Sequence, residues 1–139
     1  MALDVFLQEK PGRPAHGAEY EEILCFEEEE EEGYYWFLYP LFQQLQKRTG
    51  QFVDQYGVAI FGGDNLDSLA NTIAAARQLT ENHPEEWDVV VGFEVGPARP
   101  RREIRQPVNK ARMLSLLDKL QTAIAKATEK NYYVAFWGD

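Results

Sequence analysis

The chain has 139 residues, a single cysteine, and 23 acids against 14 bases, a formal net charge of −9. That length is one ordinary domain, expected to span residues 1–139, and able to bury roughly two-thirds of the surface its unfolded chain exposes. A lone Cys25 excludes an internal disulfide framework, no apolar run approaches the roughly 20 residues of a membrane span, and a composition 45% hydrophobic and 13% aromatic is too apolar for disorder.

Met1 to Lys10 has neither a basic n-region nor a long apolar h-region, so no secretory leader is expected and the setting reads as cytoplasmic. Leu3 to Gln8 reads as a first strand, followed by a turn-rich connection through Pro11, Gly12, Pro14 and Gly17. Ile23-Leu24-Cys25-Phe26 predicts a second strand. Six consecutive glutamates, Glu27 to Glu32, follow and end at Gly33; charge this dense calls for solvent or a basic surface. The aromatic run Tyr34 to Phe42 contains Pro40, so a helix is expected to begin near Pro40, with Leu41, Phe42 and Leu45 on one face and Lys47 and Arg48 in its last turn.

Tyr56 to Phe61 is apolar on both faces, the pattern of a central strand covered on both sides or of a strand under a helix layer. Gly62-Gly63 makes a turn, and Asp64 is placed to cap a helix whose stripe is Leu66, Leu69, Ala70, Ile73 and Ala76, extended by Leu79, ending near Asn82 or His83 ahead of Pro84. Trp87 to Val95 alternates, with Trp87, Val89, Val91, Phe93 and Val95 on one face. Arg102 to Gln106 is expected to return as a hairpin partner, Val95 opposite Ile104 and Glu94 opposite Arg105. Asn109 is placed to cap a long helix with the stripe Leu114, Leu117, Leu120, Ile124 and Ala127, and Tyr132 to Trp137 forms a last strand. The order β-β-α-β-α-β-β-α-β predicts an α+β fold: one domain, a mostly antiparallel sheet of about five to six strands, and about three helices mainly on one face.

Few residues form a recognisable catalytic or ligand motif. Cys25 lies between apolar neighbours and reads as a buried, inert thiol. There is no G-x-S-x-G elbow, and Ser68 and Ser115 both fall inside predicted helices. His16 lies in a loop and His83 at a helix end, so neither reads as a general base. Metal-ligand spacings are absent, and a glutamate run on an extended chain points to alternate faces, so no metal site or cofactor is expected. The Gly62-Gly63 turn opens a helix as phosphate loops do, but Asp64 sets a carboxylate where the phosphate would sit.

Charge is polarised along the chain. Residues 1–50 carry 11 acids and 4 bases, residues 51–98 carry 8 and 1, and residues 99–139 carry 4 and 9. Arg99, Arg101, Arg102 and Arg105, with Lys110 and Arg112, form a basic patch. No aromatic side chain interleaves it to stack bases and the whole molecule is acidic, so nucleic acid is not the expected partner. Glu28, Glu30 and Glu32 beside Tyr34, Tyr35 and Trp36 have the composition of a protein-binding surface aimed at a basic partner.

The small, acidic, one-domain α+β pattern, with its ending Tyr132-Tyr133-Val134-Ala135-Phe136-Trp137-Gly138-Asp139, resembles the immunity proteins of bacterial polymorphic-toxin systems. That resemblance implies a cytoplasmic protein that binds and inhibits a cognate toxin; it assigns no role to an individual residue. Two other readings stand beside it: a structural protein that self-associates into a homo-oligomer through its acidic and basic patches, and an enzyme or small-ligand domain using cleft carboxylates such as Asp64, Glu94 or Asp139.

Overall fold

Leu3, Val5 and Leu7 are buried while the intervening Asp4 and Phe6 are only half-buried, the period of a strand with one covered face. The computed structural model describes residues 2–12, 19–97 and 101–138, excluding the side chains of residues 27–31. The connection carrying Pro14, His16 and Gly17 lies outside the described residues, as do Arg99 and Asp139. The elements follow the order read from the sequence: β1 (Ala2–Gln8), β2 (Tyr20–Glu27), α1 (Glu28–Thr49), β3 (Val58–Phe61), α2 (Asp64–Glu81), β4 (Glu86–Phe93), β5 (Glu103–Asn109), α3 (Lys110–Lys130) and β6 (Tyr133–Gly138).

The fold is α+β, but its described strands divide between two antiparallel sheets. Four form a sheet of order β2-β1-β6-β3; β4 and β5 form a separate ribbon. Helices α1 and α3 contact both the sheet and the ribbon, so the helical layer lies between them. Leu3, Val5, Phe61, Val134 and Phe136 meet Leu38, Phe42, Ile73, Leu117 and Leu120 in one core.

Four expectations are corrected. First, α1 begins at Glu28 and runs through Pro40. Tyr35, Leu38, Phe42 and Leu45 form one buried stripe across the proline, which itself faces solvent. An interior proline costs a helix about 3 kcal/mol; burying four large side chains at about 1.5–3 kcal/mol each exceeds that. The glutamates meanwhile occupy the helix's first turn, where the positive end of the helix dipole favours them. Gly33, just past the acidic run, lies inside the helix where β5 crosses it: a Cβ on Gly33 would lie 3.2 Å from Val108 Cγ2.

Second, β3 is an edge strand, not a central one. Its second cover is the 50–57 loop, whose Gln51 side chain accepts the Ile60 N–H at 3.0 Å and so blunts the edge. Third, the β4–β5 register differs by three to four residues from that expected: Ile104 pairs with Gly92 and Arg105 with Val90. A bulge between Val90 and Gly92 accounts for the fourth residue of the difference; the other three come from a longer connection between the strands than the sequence spacing suggests. In addition, Gly63 rather than Asp64 is the N-cap of α2, with Asp64 in the first turn. Asn109 caps α3 as expected, its side chain accepting the Arg112 N–H at 3.0 Å, and Leu117, Leu120, Ile124 and Ala127 are buried, with Leu114 half-buried.

Tyr35 ties α1 to the 50–57 loop by donating its hydroxyl to the Val53 carbonyl at 2.9 Å. Burial first, then the nearby Asp54 carboxylate, hold its pKa well above the usual tyrosine range. Below about pH 10 the folded and unfolded chains both keep this proton; above it the unfolded chain releases a proton that folded Tyr35 retains, so stability falls as pH rises. Denaturation midpoints measured from pH 8 to 11 are expected to show that decline, with a shallower slope in Tyr35→Phe. The same variant is expected to cost about 1–3 kcal/mol at neutral pH, because it leaves the Val53 carbonyl unpaired.

Candidate protein-binding surface

Among the described side chains, Tyr34 and Tyr35 do not join the partner surface expected of them. Tyr34 and Tyr35 are 3% and 2% exposed, so neither is a surface contact. Their burial follows from the helix: starting α1 at Glu28 turns both rings inward. Tyr34 accepts the Asn109 backbone N–H at 3.0 Å, and the Arg112 guanidinium lies 5.6 Å from its ring centroid. Trp36 is half-buried against Tyr35 and Tyr39, ring centroids 5.3 and 4.9 Å away. Glu32 is half-buried; Glu28 and Glu30 stand in the first turn of α1 with their side chains outside the described residues. Cys25 is half-buried within β2.

The acidic and basic halves of the sequence therefore approach each other within one molecule. The start of α1 abuts β5 at Gly33 and the start of α3 at Tyr34. Lys110 serves a second junction. Its ammonium donates to the carbonyls of Glu81 at 2.8 Å and His83 at 3.0 Å, supplying the cation that the last turn of α2 lacks. His83 stacks on Trp87 at 4.2 Å between ring centroids, with Phe37 edge-on at 5.3 Å. It is a packing residue past the end of the helix.

The distal half of the β4–β5 ribbon is exposed. Trp87, Val89 and Val108 face α1 and the core. Beyond the bulge, Gly92 takes the position facing Ile104, and Phe93 pairs with Glu103 on the opposite face. Phe93 is 55% exposed, Ile104 43%, and Val95 fully so. Arg101 and Arg102 are exposed beside them; Arg105 is exposed but ion-paired to Glu103. A single alternation carried through Gly92 would place Phe93 and Val95 on the same face as Trp87 and Val89. That glycine was the available signal, since an isolated glycine in a strand often marks a bulge.

Asp64 is exposed at the start of α2 and Glu94 is exposed beyond β4, at separate places and away from the three hollows beside α3. Among the described residues, no group of three or more His, Cys, Asp or Glu side chains is placed to hold a metal ion, and no helix is long and apolar enough to cross a membrane. Comparison with protein-family models, curated proteins and solved structures finds no match for this chain.

Proposed function

We propose that this chain is an acidic protein-binding module that engages its partner through the β4–β5 hairpin. The carrying observation is the exposure of Phe93 and Val95 on a ribbon whose proximal half alone is packed on the protein. Exposed apolar side chains rimmed by arginine have the composition of an interface centre. The excess of acids elsewhere attracts a basic partner at long range, while the arginines at the rim call for acidic groups on the patch of that partner that docks. With the sequence resemblance, this supports a cytoplasmic inhibitor that caps a toxic, basic enzyme.

Co-expression with the product of the adjacent gene tests the reading. Growth rescue and a stable complex are expected from the parent chain. Phe93→Asp combined with Val95→Asp should weaken the complex at least tenfold with the fold unchanged by circular dichroism. Neither rescue nor complex from the parent overturns the function; rescue unchanged by the double variant overturns the hairpin as its site.

A further inference from the structure

The four-stranded sheet has a face that the helices do not cover. Val5 of β1, Phe136 of β6 and Ala59 of β3 are fully buried toward the helices, so their neighbours in sequence point the other way. Opposed residues of antiparallel strands share a face, and the register therefore lays two rows across this outer side. One row is Glu22, Phe6, Ala135 and Ile60; the next is Cys25, Asp4, Trp137 and Val58. Tyr20 sets its ring edge-on to Phe6 at 6.0 Å between centroids. Tyr20, Glu22 and Val58 are exposed. The β1–β2 connection folds in at one end, where the Gln8 side chain donates to the Lys10 carbonyl at 2.8 Å, and the 50–57 loop closes over the other. Between those ends, the described helices all pack on the opposite side.

The two outer layers of the molecule carry opposite charge. In the rows across the sheet the charged residues are Asp4 and Glu22, and neither is ion-paired among the described residues. At the rims, Lys10 is preceded by Glu9, and Asp54 lies in the 50–57 loop, so no net positive charge is added. The β4–β5 ribbon lies on the far side of the helical layer. There the Glu94 N–H donates to the Arg102 carbonyl at 2.9 Å. That bond carries the ladder past Phe93 and sets Val95 on the same side as Phe93, across from Arg101. Glu103 and Arg105 on this side cancel as an ion pair, while Glu94 and Arg102 point to the reverse side and offset each other. Phe93 and Val95 therefore sit beside a net cation, as Phe6 and Tyr20 sit beside net anions.

We propose that the hairpin of one copy of this chain docks on the outer sheet face of the next, with Phe93 and Val95 against Phe6 and Tyr20, and Arg101 toward Asp4 and Glu22. The two patches differ and lie on opposite layers, so the contact is heterologous and each added copy leaves a hairpin free at one end and a sheet face free at the other. Phe93, Val95 and Arg101 make a small contact, so association is weak, reversible and strongest at low salt. The inference rests on the same exposed hairpin as the proposed function but needs no toxin. A docked second copy would cover that hairpin, so self-assembly and partner binding compete.

Sedimentation of the full chain at rising concentration, up to millimolar, tests this in low and high salt. The mean mass should climb with concentration at low salt and return toward the monomer at high salt. Two variants at exposed positions decide the geometry. Phe93→Asp with Arg101→Glu disables the hairpin, and Tyr20→Lys with Glu22→Lys disables the sheet face; each should weaken assembly at least tenfold. An equal mixture of the two should form a complex of twice the monomer mass and no larger, because the intact hairpin of one meets the intact face of the other. A monomeric parent at millimolar concentration in low salt overturns the proposal, and so does assembly that survives either pair of substitutions. A mixture that stays monomeric while the parent assembles overturns it too, since the contact would then join like patches. A monomeric parent that still binds the product of the adjacent gene overturns self-assembly and leaves the proposed function standing.

Discussion

Replacement of Phe136 by alanine is expected to lower stability by about 3–5 kcal/mol. Phe136 is fully buried in β6, with ring centroids 6.2 Å from Phe42 of α1 and 5.7 Å from Phe61 of β3. It fastens two strands of the sheet to the longest helix, and each neighbour is fixed by its own element, so a cavity there cannot collapse easily. Against a total stability of about 5–15 kcal/mol, the loss is a large fraction. Urea denaturation checks it: the midpoint should fall at an unchanged slope. Leu79→Ala is the control. Leu79 belongs to the predicted period of α2 but is 46% exposed, and its loss should cost under about 1 kcal/mol. Equal shifts for the two variants would mean that the packing of α1 against the sheet carries little of the stability.

Gly138→Ala is expected to cost about 1–3 kcal/mol or more. A Cβ at this position would overlap the main-chain carbon and oxygen of Gln55, which cannot swing aside as a side chain can. The approach is close because the Gly138 N–H donates to the Gly57 carbonyl at 2.7 Å, closing the 50–57 loop over the end of β6. Thermal melting should register the loss, and exchange of the Gly138 amide should accelerate beyond what the global change explains. Gly96→Ala supplies the contrast, since nothing lies within 4 Å of a Cβ there, and its melting point should hold. A drop at Gly96 matching that at Gly138 would refute the close-approach argument.

Legibility in the sequence followed the range of the forces involved. β1, α2, α3 and β6 were readable because each has a local period and local end signals; the Asn109 cap, for instance, is set by a side chain three residues from the N–H it accepts. The start of α1 was not readable. Pro40 is a local signal against a helix, and what overrides it is a long-range core that accepts Tyr35, Leu38, Phe42 and Leu45 together. The edge position of β3 was hidden for a similar reason, because a loop covering an edge leaves the same apolar pattern as a neighbouring strand. The candidate site suffered most. Tyr34 and Tyr35 were assigned to the surface and went to the core, while Phe93 and Val95 were assigned to the core and went to the surface. One error came from the helix start and the other from a one-residue bulge that moves every later side chain to the opposite face.

The sequence by itself determined the class of fold, the order of the elements, the polarity of charge along the chain and the apolar stripes of α2 and α3, since all of these rest on composition and on periods of two or 3.6 residues. Only the tertiary structure decided which strands share a sheet, that the acidic start of α1 lies against β5 and α3, and which face of the four-stranded sheet the helices leave open. Those outcomes depend on which distant surfaces meet, and no local period encodes the meeting.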